Sequence, residues 1–166
     1  NKSRISHKMS PAELVKLLAD REEKLQSFTD GSITDQWRVY QEIIDCLING
    51  RLLRLMVQAS AGTGKSFLMT TIMLWCIVNG KKAKAAAPTG IAARNVEIEG
   101  TDVKATTLHS MFDLDTDFVT KLDFAKMDSN KVKALIELEV FLLDEVSMID
   151  VDAWKAMVVL LGVADH

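Results

Sequence analysis

The run Ala59-Ser60-Ala61-Gly62-Thr63-Gly64-Lys65-Ser66 has the residue types and spacing of a phosphate cradle. Gly62 and Gly64 let the backbone curl, so that successive N–H groups over Ala61, Gly62, Thr63 and Gly64 point inward at phosphate oxygens. A helix opening at Lys65 adds the positive end of its dipole. The Lys65 ammonium reaches the β- and γ-phosphates of ATP, and the Ser66 hydroxyl is a hard oxygen ligand for Mg²⁺. Loops of this kind usually open with glycine, and here Ala59 holds that place, at the strand-to-loop entry. A second signal lies some eighty residues on, where the apolar run Phe141-Leu142-Leu143 delivers Asp144-Glu145. Carboxylates at the end of a buried strand need a cation or water. Asp144 suits a Mg²⁺ contact, and Glu145 suits general-base activation of an attacking water. On its own an acidic pair after a strand reads equally as a solvated loop; after a phosphate loop in a chain of alternating strands and helices, the catalytic reading is favoured.

These residues need elements to position them. Ser10-Pro11 with Glu13 is a helix start. Leu14, Leu17, Leu18, Leu25 and Phe28 follow at helical spacing. Thr29 to Ser32 is a break. Thr34 caps a second helix with Trp37, Tyr40, Ile44, Leu47 and Ile48 on one face, stopped by Asn49-Gly50. Leu52 to Gln58 has strand length, and Lys65 to Val78 is a helix apolar on most sides. Ala83 to Ala87 is a second strand, ending at Pro88-Thr89-Gly90, with a short helix from Ile91 to Val96. Residues 97–135 carry no clear period, and the aspartates from Asp113 to Asp128 make part of that stretch acidic and solvent-facing. Leu138 to Leu143 is a third strand, and Asp150 caps a last helix through Leu161. Strands alternating with helices predict an α/β fold with a parallel sheet flanked by helices, whose ligands sit at the strands' carboxyl ends. The phosphate loop, Pro88-Thr89-Gly90 and Asp144-Glu145 all fall at such ends.

Composition sets the outer bounds. The 166 residues suffice for one domain with a sizeable core. A hydrophobic share of 48%, with only two prolines and eight glycines, excludes collagen-like and disordered chains. A net charge of −3 argues against a DNA-coating protein while leaving room for a local basic groove. Cys46 and Cys76 stand apart in apolar helical patterns, as reduced core thiols of an intracellular protein do. The apolar stretch Phe67 to Val78 is too short to span a bilayer, so no membrane partner is expected. Oligomeric state and organelle are not legible.

The motifs also carry a family resemblance. Asp144-Glu145-Val146-Ser147-Met148-Ile149-Asp150 resembles motif II of the Pif family of superfamily-one DNA helicases, and Ala59 to Ser66 is similar to their motif I. Ala87 to Ala93 resembles motif Ia, Thr107-Leu108-His109-Ser110-Met111-Phe112 the segment that follows it, and Ile33-Thr34-Asp35-Gln36 the Q motif. The five segments occur in the family's order across residues 33–150; RecD-type and Helitron-encoded helicases share much of the set. The resemblance implies a RecA-like P-loop NTPase: an N-terminal helical extension over 1–31, then a partial, truncated first motor domain over 32–166. It implies that Gln36 reads adenine, that ATP and Mg²⁺ are bound as above, and that the partner is single-stranded DNA. Pro88, Thr89 and Gly90 would sit against that strand, with His109, Ser110 and Phe112 nearby. Backbone N–H and hydroxyl groups suit DNA phosphates, and an aromatic ring suits base stacking.

Taken singly, Gln36 reads as a solvated position, His109 as structural, Phe112 as core, and Lys81, Lys82 and Lys84 as a solvated edge; only the resemblance reverses the first three. Trp37, Trp75 and Trp154 fit packing faces. The chain ends before a motif III and a second RecA-like domain, so the expectation is slow hydrolysis and no unwinding by this piece. Two other readings stay open. One is a helicase relic that binds nucleotide and serves as an interaction module. The other is a P-loop ATPase of another class, which the 87–93 and His109-Ser110 segments argue against.

Overall fold

The computed structural model describes residues 8–27, 34–49, 53–56, 65–112 and 128–144. In chain order these form α1 (Pro11–Ser27), α2 (Thr34–Ile48), β1 (Leu53–Met56), α3 (Lys65–Val78), β2 (Ala83–Ala87), α4 (Gly90–Arg94), β3 (Ala105–Thr107), α5 (Leu108–Phe112), α6 (Ser129–Ile136) and β4 (Val140–Leu143).

Local signals set most of the boundaries. At the start of α1 the Ser10 N–H donates to Glu13 Oε1 at 3.1 Å and the Glu13 N–H to Ser10 Oγ at 3.3 Å, a reciprocal capping box. α3 ends where Gly80 takes φ +69°, a conformation open to glycine without a Cβ penalty. The Lys81 N–H then reaches the Cys76 carbonyl at 2.8 Å and the Gly80 N–H the Ile77 carbonyl at 3.4 Å, which satisfies two of the helix's last acceptors.

The four strands form one parallel sheet in the order β1-β4-β2-β3. β4 is buried along its whole length, as expected of an inner parallel strand covered on both faces. One face carries the main core. There Ala85, Val140 and Leu142 meet Leu68, Met69, Ile72 and Met73 of α3, and α1 and α2 add Leu18, Leu25, Tyr40, Ile43 and Leu47. α3 is buried around most of its circumference, which explains its lack of a polar side. On the opposite face Lys84 and Thr106 line a cavity of about 240 Å³ with Met111 of α5 and Ala134 of α6. Among the described residues no helix is long and apolar enough to cross a membrane.

Several expectations need correction. The helix after Gly90 stops at Arg94 rather than Val96, because Asn95 caps it: the Asn95 N–H donates to the Ala92 carbonyl at 3.2 Å and the Val96 N–H to the Ala93 carbonyl at 3.1 Å, three-residue bonds that close the last turn. The segment 97–104, without a period in the sequence, is a small turn closed by an antiparallel bridge between Glu97 and Lys104. β3, α5 and α6 follow within the stretch left unread. The last strand begins at Val140 rather than Leu138. On α2, Tyr40 and Leu47 are buried and Trp37 and Ile44 pack against the core as expected, but Ile43 is buried beside them and Ile48 is 66% exposed. Cys46 is only half-buried, although Cys76 is a core thiol as expected. Trp75 packs in the core and Trp37 stacks on Tyr40 with centroids 5.6 Å apart; Phe28 and Trp154 lie outside the described residues.

Two measurements check this packing. Leu74 is fully buried, so Leu74→Ala should cost about 2–5 kcal/mol in a denaturant titration. Burial, with a smaller push from the Glu139 charge, raises the Cys76 thiol from 9.0 to about 12. The folded state therefore favours the neutral thiol; that contribution is complete below 9.0 and is lost as pH rises toward about 12, so stability falls on the alkaline side. Alkylation near neutral pH should modify Cys46 in the native protein and reach Cys76 only after unfolding.

Candidate nucleotide site at the carboxyl edge of the sheet

Strand register brings the motifs together. Met56 pairs with Leu143, Leu143 with Ala86, and Ala87 with Thr107. Neighbouring strands run about 4.8 Å apart, so four carboxyl ends form one short edge. Each is followed by a segment that carried a chemical signal: 57–64 after β1, Asp144 after β4, Pro88 to Gly90 after β2, and α5 after β3.

Asp144 is 2% exposed, and its backbone N–H donates to the Ala86 carbonyl at 2.9 Å. That bond continues the ladder one residue past the strand and fixes where the carboxylate leaves the sheet. Ser66 lies half-buried on the first turn of α3, the helix that the phosphate loop leads into. A carboxylate and a hydroxyl are hard oxygen donors, and Mg²⁺ takes one or two such protein groups together with phosphates and waters. Among the described residues there is no cluster of three or more His, Cys, Asp or Glu that would suit a self-sufficient metal site. Donors of these two types suit a metal held largely by the phosphates of a nucleotide. Ala61 to Gly64 and Glu145, with the Lys65 side chain, lie outside the described residues.

Gln36 is buried at 9% exposure in the first turns of α2, against the reading of an isolated glutamine as solvated. After β2, Pro88 is buried while Thr89 and Gly90 are exposed. Thr89 caps α4, its hydroxyl oxygen accepting the Ala92 N–H at 3.1 Å. After β3 the Thr107 hydroxyl accepts the Ser110 N–H at 3.2 Å, and Lys131 Nζ donates to the Ser110 carbonyl at 2.8 Å. Ser110 is exposed, and the side chains of His109 and Phe112 lie outside the described residues. The solvated-edge reading of Lys82 holds, since it pairs with Glu137 at 2.7 Å on the surface. The sequence placed Thr107 in the segment through Phe112 without its capping role and gave Lys131 no role. A threonine just before a short helix is a capping signal that was available; the approach of Lys131 from α6, 21 residues away, was not.

Residues 41–166 match the AAA domain family. No curated protein matches. Among the solved structures that resemble the chain are two of Pif1. Unliganded Pif1 from Bacteroides sp. aligns with a TM-score of 0.52 at 25% identity, covering 81% of this chain and 27% of its own. Bacteroides Pif1 bound to single-stranded DNA aligns with a TM-score of 0.51 at 30% identity, covering 74% of this chain and 26% of its own. The chain thus spans about a quarter of the length of these relatives. With the matched family extending over well more than half of its residues, the chain belongs to the AAA domain family, and its parallel sheet is the Pif1-like RecA-like fold of the superfamily-one helicases.

Proposed function

We propose that this chain is the ATP-binding and ATP-hydrolysing part of a DNA helicase motor, one that couples hydrolysis to movement along single-stranded DNA and to duplex unwinding. The observation that carries this reading is the register placing Asp144 beside the strand that feeds the phosphate loop. Backbone N–H groups of Ala61 to Gly64 and the start of α3 bind the phosphates, with Lys65 on the β- and γ-phosphates. Ser66 and Asp144 hold Mg²⁺, which supplies charge neutralisation on the phosphates when bound. Glu145 takes the proton of the water that attacks the γ-phosphate in line. Gln36 contacts adenine. The division into a helical extension over 1–31 and an ATPase unit over 32–166 belongs to the same reading.

Single-stranded DNA is the proposed partner. The motif Ia turn and α5 rise from β2 and β3, and Thr89, Gly90 and Ser110 are exposed there. Pro88 holds the turn from within, and His109 and Phe112 complete the set by family resemblance. A Pif1 solved with single-stranded DNA supports this choice. A nucleotide-binding relic without turnover remains the second reading, favoured by Ala59 at a place usually held by glycine.

The wild-type chain should bind a fluorescent ATP analogue in a Mg²⁺-dependent way. Lys65→Ala should weaken that binding on the order of 10- to 100-fold, the worth of a charge-assisted contact. Equal binding by both proteins would sink the phosphate-site assignment. Anisotropy with labelled oligo-dT and duplex separates the two readings: preference for the single strand supports the motor, and no binding of either supports the relic.

A further inference from the structure

The N-terminal helix reaches the phosphate-binding helix through one side chain. Arg21 of α1 is half-buried and lays its guanidinium over the Phe67 ring, 4.1 Å from the centroid. Its Nε donates to Thr71 Oγ1 at 3.0 Å, and its Nη2 donates to the Phe67 carbonyl at 3.3 Å and to Thr70 Oγ1. The two threonines are buried, at 3% and 0% exposure. Their hydroxyls turn back along α3: Thr70 donates to the Ser66 carbonyl at 2.7 Å, and Thr71 to the Phe67 carbonyl at 2.6 Å.

Hydroxyls bonding back to the preceding turn loosen or bend a helix when nothing else holds them. Here the planar fork of Arg21 ties both hydroxyls and one of those carbonyls into a single arrangement, which a flexible ammonium could not reproduce. The cost is electrostatic. Among the described residues no carboxylate pairs with Arg21, its pKa is lowered by burial, and it sits near the positive end of α3. An anion at that helix end relieves this repulsion, so anion binding and α1 docking favour each other.

We propose that Arg21 is a positioning residue: it holds the first turns of α3, from Ser66 to Thr71, in the geometry that receives phosphate, and it couples docking of α1 to nucleotide binding. The inference rests on the proposed phosphate site and adds to it a control point some fifty residues away in sequence.

The test compares Arg21→Met and Thr70→Val with Leu18→Ala, which disturbs α1 packing without touching α3's hydroxyls. Two readouts are taken on folded protein: affinity for the Mg²⁺-bound fluorescent ATP analogue, and hydrogen exchange at the Thr70 and Thr71 amides without nucleotide. Arg21→Met and Thr70→Val should each weaken binding about tenfold, within the usual range of coupling between sites, and should speed exchange at those two amides. Leu18→Ala leaves the Arg21 contacts in place and, at temperatures where α1 stays docked, should do neither, even where its melting temperature is lower. Equal effects from Leu18→Ala, or wild-type exchange in Arg21→Met, would overturn the inference. If the wild-type chain binds no nucleotide, the phosphate-site reading fails by itself. Exchange then decides the role of Arg21: faster in Arg21→Met than in Leu18→Ala upholds its hold on the turn, and no difference refutes it.

Discussion

Parallel pairing is the constraint on which the rest of this structure depends. A parallel ladder sends every strand's carboxyl end to the same edge, and a connection must return to the opposite edge before the next strand begins. Inserting β4 between β1 and β2 then makes neighbours of segments that are eighty residues apart in the chain. The carboxyl end of β1, which leads into the run 57–64 in sequence, and Asp144 owe their proximity to that insertion. The stability of the arrangement comes from elsewhere: from α3, which is apolar nearly all round, and from a fully buried β4. Along β2 and β4 the two roles are divided, with side chains supplying the core and strand ends leading into the candidate site.

Burial of this kind leaves little freedom to the groups that emerge from it. The Asp144 N–H, bonded to Ala86, carries the ladder past its last side chain, so the carboxylate leaves the sheet in a set direction. Thr89 and Thr107 do the same for two short helices, each accepting an N–H from the first turn that no intrahelical acceptor serves. Helices of five residues have little stability of their own. α4 and α5 exist because a strand end delivers them and a threonine closes them.

Much of this was legible in the sequence where the signal was local. Ser10 with Glu13 marked the start of α1, Lys65 and Gly80 bracketed α3, and Ala83–Ala87, ending at Pro88-Thr89-Gly90, is a strand at its predicted bounds. Legibility failed where a long-range partner decided. β3 is three residues long and is held by pairing with β2, so no periodicity could mark it. The predicted α2 face holds at Trp37, Tyr40, Ile44 and Leu47, but Ile43 joins it and Ile48 is exposed, because helical spacing fixes a stripe but not its width or where the partner helix ends. In the candidate site, residue types named the phosphate and metal groups, and their order in the chain suggested a shared edge. Which residues stand side by side at that edge came only from register. Arg21 carried no signal at all: an arginine among charged neighbours on an amphipathic helix reads as solvated until α3 is placed beneath it.

The two ends of α3 illustrate how the same backbone rules serve different purposes. At its carboxyl end Gly80 and the Schellman bonds satisfy orphan carbonyls within the chain, and that end needs no ligand. At its amino end the first N–H groups have no intrahelical acceptor, the half-buried guanidinium of Arg21 adds positive charge nearby, and Asp144 is buried at the adjacent strand end. Like charge near a helix start costs free energy. A polyphosphate offsets it there, and the Mg²⁺ carried with such a phosphate suits a carboxylate ligand of the kind Asp144 offers. On the proposed reading, the folded chain is therefore poised for that ligand, and its binding tightens the contact between α1 and α3 as well as filling the site.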